Sequence, residues 1–98
     1  MANPEHAEAF EWDPDDEDRG NTAHLARHHI TPAEAEQVFT NGGRFVPNTG
    51  QHSGDWLLIG RTDGGRALAL PLAYYPDRRI IRIITGWDAT QGQRAKYL

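Results

Sequence analysis

The chain predicts an α+β domain with helices packed on an antiparallel meander, and three observations predict it. Trp56–Thr62, Arg66–Tyr75 and Arg79–Thr85 are short runs rich in apolar, aromatic and β-branched residues, the pattern of strands lying in a core. Turn residues punctuate these runs, Asp63-Gly64-Gly65 after the first and Pro76-Asp77 after the second. A capped helical pattern beginning at Thr31 comes before them, so helices and strands are segregated along the chain rather than alternating.

The elements follow in order. Residues 1–9 are polar, without a period, and are expected to be disordered. Phe10-Glu11-Trp12 alternates as a short strand, and Asp13 to Gly20 forms an acidic loop. Asp13, Asp15 and Glu17 imitate the start of a calcium loop. Asp18 stands where that loop needs Gly, however, and His24 where it needs a bidentate Glu, so a solvated loop is expected. Asn21 is read as the cap of a two-turn helix from Thr22 to His28, with Leu25 facing inward. Thr31, Pro32 and Glu34 supply the N-cap, the first helical position and the capping-box carboxylate of a second helix. Ala35, Val38 and Phe39 form its buried stripe, and Asn41-Gly42-Gly43 ends it. A short strand at Phe45-Val46, a polar loop from Asn48 to Gly54 and the meander come next. Leu68, Leu70, Leu72 and Tyr74 share one face, while Pro71 on the other predicts an edge or a bulge. Asp88 with Gln91 predicts a capped terminal helix running towards Tyr97.

Composition bounds what such a domain does. Ninety-eight residues make one domain, 1–98, with one modest core. No apolar run approaches the roughly 20 residues that span a bilayer, and the acidic start is neither a secretory nor a transit peptide, so a cytoplasmic location without membrane contact is expected. The absence of cysteine excludes disulfides, Cys-ligated zinc and thiol catalysis. A net charge of −4 conceals ten acids against two bases in residues 1–36, and four against eight in residues 37–98. Such halves either attract each other or leave the basic one for phosphate.

Three of five histidines lie within eight residues, His24, His28 and His29, with Arg27 among them. His24 and His28, four apart, share a helical face and have the side chain whose free pKa lies nearest neutrality. They suit proton transfer; two histidines are half a zinc site, and His52 is the sole obvious distant third, so no metal and no cofactor is expected. The competing reading is structural, with His28 at a helix C-terminus, His29 at a left-handed position and His24 lining the face beside Leu25. Arg82 interrupts four isoleucines, and Arg61 closes the run Trp56–Arg61 on the face of Leu57 and Ile59. Together they predict a phosphate clamp, with pairing to Glu34, Glu36 or Asp55 as the alternative. Trp56, Tyr74, Tyr75 and Trp87 suit either base stacking or core packing.

The series Phe10-Glu11-Trp12-Asp13, then Gly20-Asn21 with HLARHHITPAEAEQVF, then LLIGRT, RIIRIIT and DATQGQRAKY resembles the BrnT family of ribonuclease toxins from type II toxin–antitoxin modules. The resemblance runs from about residue 10 to the C-terminus. It implies a RelE-like α+β fold, metal-independent RNA cleavage and neutralisation by a DNA-binding antitoxin. The chain departs from the family pattern at His29, typically Gly there, and at Thr85-Gly86-Trp87, typically Ser-Ala-Arg or Thr-Ala-Arg. Gln91-Gly92-Gln93 also replaces most of the family's terminal arginines, and the loop after Trp12 carries extra acids. The expectation is therefore an endoribonuclease using Arg61 and Arg82 on phosphate and His24 or His28 for proton transfer. Arg27, Arg66 and Arg94 are assigned to RNA, and the partners are an antitoxin, RNA and a second copy in a homodimer. The alternative is a non-catalytic interaction domain that keeps the toxin fold.

Overall fold

The structure, a computed structural model, describes residues 3–49 and 54–98, and it is a compact α+β fold. Its elements are β1 (Ala9–Phe10), α1 (Asn21–Ala26), α2 (Pro32–Thr40), β2 (Arg44–Pro47), β3 (Trp56–Arg61), β4 (Ala67–Tyr75), β5 (Ile80–Ile83), β6 (Trp87–Asp88) and α3 (Gln91–Tyr97). The strands order as β1-β5-β4-β3-β2, with β6 also paired to β4. β2 to β5 form the expected antiparallel meander, whereas β1 joins β5 in parallel and makes the sheet mixed. The strand at β6 was not expected.

Both faces of β4 are covered, which explains why eight of its nine residues look apolar by sequence and seven are buried. Leu68, Leu70, Leu72 and Tyr74 face α1 and α2, where they pack with Leu25, Ile30, Ala35, Val38, Leu58, Ile81 and Ile83. Ala67 and Ala69 face the other way, and with Ile59 and Ala89 they pack against Trp87 and Tyr97. Alanine on that side leaves room for the short α3. Tyr74, Trp56 and Trp87 thus pack in or against these clusters, while Tyr75 carries the Arg78 guanidinium 4.9 Å from its ring centroid.

Several sequence expectations are corrected. The segment before Phe10 is structured from Asn3, with a 3₁₀ turn at Pro4–His6 and a fully buried Pro4. Its order comes from a distant strand end, because the Glu8 and Ala9 amides donate to Arg79 O. Asn21 does not cap α1; Gly20 is the cap residue, without a side-chain bond, and Asn21 turns inward. The helix ends at Ala26 in a Schellman arrangement, with Ile30 N donating to Leu25 O and His29 N to Ala26 O. His29 holds the left-handed position at φ 58°, and the flanking Leu25 and Ile30 are both fully in the core. The capping box of α3 is Thr90 with Gln93, not Asp88 with Gln91, because Asp88 is committed to β6.

Pro71 is not at an edge but in the central strand, and the expected irregularity lies opposite it. Between the pairs Leu72–Ile83 and Ala69–Trp87, Leu70 and Pro71 face three residues, Ile84, Thr85 and Gly86, so the partner strand bulges there. Pro71 accepts from Ile84 N at 2.9 Å yet has no N–H to return to the Ile84 carbonyl. The β4–β5 ladder stops at Ile83, and pairing resumes with Trp87 opposite Ala69. Gly86 lies in the gap, where a Cβ would come within 2.6 Å of Leu70 Cδ2. The ladder is interrupted over residues 84–86, where Pro71 lacks its donor and Gly86 passes Leu70 closely.

The capping box of α2 is formed as expected, with Glu34 N donating to Thr31 Oγ1 at 3.1 Å and Thr31 N to Glu34 Oε1 at 3.0 Å. Thr31→Ala should lower stability by about 1 kcal/mol, measured by urea unfolding at unchanged m value.

Candidate functional site

Arg82 does not meet Arg61. Arg61 lies opposite Ala67 of β4 and Arg82 opposite Ala73, six positions further along, so roughly 20 Å of strand separates them. They share a sheet face but stand at opposite ends, and the phosphate clamp expected from the sequence is not assembled. Arg61 instead donates from NH1 to Gly65 O at 2.9 Å, across its own hairpin.

Arg82 is taken up by carboxylates. The parallel register that puts Phe10 beside Ile81 continues to Glu11 beside Arg82. The guanidinium bonds Glu11 Oε1 at 3.4 Å and Asp13 Oδ1 at 3.2 Å, and its NH2 donates to Asp13 Oδ2. Asn21, 3% exposed, completes the knot. Its Oδ1 accepts from Asp13 N at 2.9 Å, and its Nδ2 donates to Glu11 O at 3.0 Å and Ile83 O at 2.8 Å. Its own amide donates to Asp13 Oδ2 at 3.0 Å, and Thr22 Oγ1 donates to Asp13 O at 2.7 Å. The partners considered from sequence, Glu34, Glu36 and Asp55, are not those of Arg82. Glu34 is 3.6 Å from Arg66, and Glu36 accepts from Trp12 Nε1 at 2.7 Å.

Arg66 is likewise structural. Its Nε donates to Asp88 Oδ1 at 2.7 Å, while NH1 and NH2 donate to the carbonyls of His29 at 2.6 Å and His28 at 3.1 Å. It satisfies the carbonyls at the end of α1 and ties them to the β3–β4 hairpin and β6. Of the six ion pairs among the described residues, all but Arg66–Asp88 join the basic C-terminal half to the acidic N-terminal half. Mutual attraction thus accounts for part of the charge asymmetry.

His24, Arg27 and His28 do come together. With Thr85 they line an open hollow of about 250 Å³. His24 Nδ1 lies 3.4 Å from Ile84 O, the carbonyl that Pro71 leaves without a ladder donor. Arg27 donates from NH2 to Asp18 O at 2.7 Å. Among the described residues no three His, Asp or Glu side chains converge as ligands; His52 lies outside them. Arg94 is exposed on α3.

Sequence reasoning missed Thr85, which lies in the interrupted stretch between β5 and β6, and the carboxylates that claim Arg82. It also missed a second hollow of about 380 Å³, lined by Asn41–Arg44, Ile59–Arg61, Tyr97 and Leu98. Arg61 belongs there. A scan of protein-family models finds no match, and no curated protein or solved structure matches the chain. What the fold defines is the class: a mixed-sheet α+β domain with two cation-bearing hollows.

The Arg82 guanidinium, and then the Asn21 amide, hold the Asp13 carboxyl below its ordinary value of 3.8. Arg66 lowers Asp88 in the same way. A carboxyl depressed by folding contributes stability that is complete above the unfolded value and is lost as pH falls through the lower folded one. Stability should therefore be level above about pH 5 and fall below about pH 4, and Asp13→Asn should flatten that fall in acid-unfolding curves. Asn21→Ala strands Asp13 N and the carbonyls of Glu11 and Ile83; a loss of about 3 kcal/mol is expected in urea unfolding.

Proposed function

We propose that the chain is a BrnT-like, RelE-like protein that cleaves RNA without a metal, and that the reaction is centred on the hollow of His24, Arg27 and His28. The observation that carries this reading is the meeting of two imidazoles and one guanidinium around a single concavity. Cleavage through the neighbouring 2′-hydroxyl needs a base for its proton, an acid for the departing 5′-oxygen and a cation for the phosphate. One of His24 and His28 is the base and the other the acid. Arg27 stabilises the charge that develops on the phosphate oxygens, and the Thr85 hydroxyl is available to hydrogen-bond one of them. Arg82 and Arg66 hold the scaffold rather than the substrate. An antitoxin that covers this hollow, a cytoplasmic setting and a homodimer belong to the same proposal.

A second reading, a non-catalytic domain that binds a protein partner, is favoured by one specific observation. Arg66, Arg78, Arg79 and Arg82 are all committed to acids of this chain, which leaves Arg27 as the one arginine lining the hollow.

The experiment is a cleavage assay on single-stranded RNA in the presence of a chelator. Products should end in cyclic or 3′-phosphate, and His24→Ala or His28→Ala should slow cleavage by about 10²- to 10⁴-fold with folding intact. Arg82→Ala should act through stability alone, with normal turnover per folded molecule. If well-folded wild type, free of any inhibitor, cuts no RNA, the partner-binding reading replaces the enzymatic one.

A further inference from the structure

We propose that the hollow between β2, β3 and the end of α3 is a binding site for the phosphodiester backbone of single-stranded nucleic acid, held by Arg44 and Arg61. Ten cations are present in the chain, and Arg66, Arg78, Arg79 and Arg82 pair with acids. Among the described residues the remaining six, Arg19, Arg27, Arg44, Arg61, Arg94 and Lys96, have no carboxylate within 4.0 Å. Two of those six line this one hollow and a third flanks it, which is the concentration of unneutralised charge that a polyanion recognises.

The geometry follows from the sheet. Arg44 pairs with Ile59, so Arg61 is its diagonal neighbour on the same face, with Cβ atoms roughly 7–8 Å apart. Arg44 makes no side-chain bond among the described residues. Arg61 spends a single N–H on Gly65 O and keeps four donors. Asp63, in the adjoining turn, accepts from Asn41 Nδ2 at 2.9 Å rather than meeting Arg61. Two guanidiniums reaching into one concavity can grip a phosphate from two sides, each with paired N–H groups. Tyr97, half-exposed at the wall, carries Lys96 Nζ 5.3 Å from its ring centroid.

An aromatic ring beside cations suits an unpaired nucleotide, whose base is free to stack, better than a duplex, whose bases are not. This site needs no chemistry at His24 and His28, so binding here and cleavage there fail separately.

The test is fluorescence anisotropy of a labelled thymidine 12-mer, a DNA strand without the 2′-hydroxyl that cleavage needs, across a salt series. Wild type should bind, and Arg44→Gln with Arg61→Gln together should weaken binding at least tenfold. The slope of log affinity against log salt should drop by about 1.4, from two lost single-strand contacts. Tyr97→Leu should weaken binding about fivefold or more, and a duplex of equal length should bind less well. His24→Ala with His28→Ala should leave affinity within a factor of two, whatever it does to cleavage. In wild type the Gly43 and Gly60 amide resonances should shift on titration with the 12-mer, a readout that needs no variant. Unchanged affinity and slope in the folded double-arginine variant would overturn the proposal, as would silent glycine amides. Displacement of the 12-mer by inorganic phosphate at equal phosphate concentration would overturn the strand assignment.

Discussion

The buried amide of Asn21 and the carboxylate of Asp13 tie three stretches of chain together by hydrogen bonds, beside the β1–β5 ladder and the packing of Leu25 against β5. Asn21 opens α1, Asp13 follows β1, and the Ile83 carbonyl ends β5, 62 residues away from Asn21. Each member satisfies polar groups of the others, and Arg82 neutralises the carboxylate from the sheet side. A partly buried network of this kind is stable only when complete, because any missing partner leaves polar groups of the rest unpaired. The placement of α1 depends on it, and so does the position of His24 above the Ile84 carbonyl.

That knot also decides what the arginines do. A guanidinium in the middle of an isoleucine-rich strand must find an anion, and Arg82 finds two in its own chain. Arg66 solves a different problem, since the carbonyls that end α1 need donors and the hairpin needs an anchor. Arg82 and Arg66 are therefore consumed by folding. Of those left over among the described residues, Arg27 beside the histidines and Arg44 with Arg61 beside Tyr97 lie on separate hollows.

The N-terminal segment shows how aromatic packing carries order along a short chain. Phe10 stacks on Trp12 at 6.1 Å and meets Phe39 edge-on at 5.5 Å, and Phe39 in turn meets Phe45 at 6.0 Å. The row crosses from β1 over α2 to β2. With the Trp12–Glu36 bond it holds β1, a strand of only two residues, against the core.

Local chemistry was enough to determine much of this protein. The capping box at Thr31, the left-handed turn at His29, the Asp63-Gly64-Gly65 hairpin and the meander were legible because each depends on neighbours within a few residues, or on a period of two. The α+β class followed from their order. The nearness of His24, Arg27 and His28 was legible for the same reason, being helical spacing. Register and pairing across the sheet were not. Parity put Arg61 and Arg82 correctly on one face, yet only the ladder through β4 set them six positions apart. The parallel placement of β1 chose Glu11 and Asp13 for Arg82, and Thr85, in the interrupted stretch opposite Pro71, lines the hollow of the histidines. Local sequence fixes which groups a face presents, while the partner each group meets depends on strands that the chain brings together only on folding.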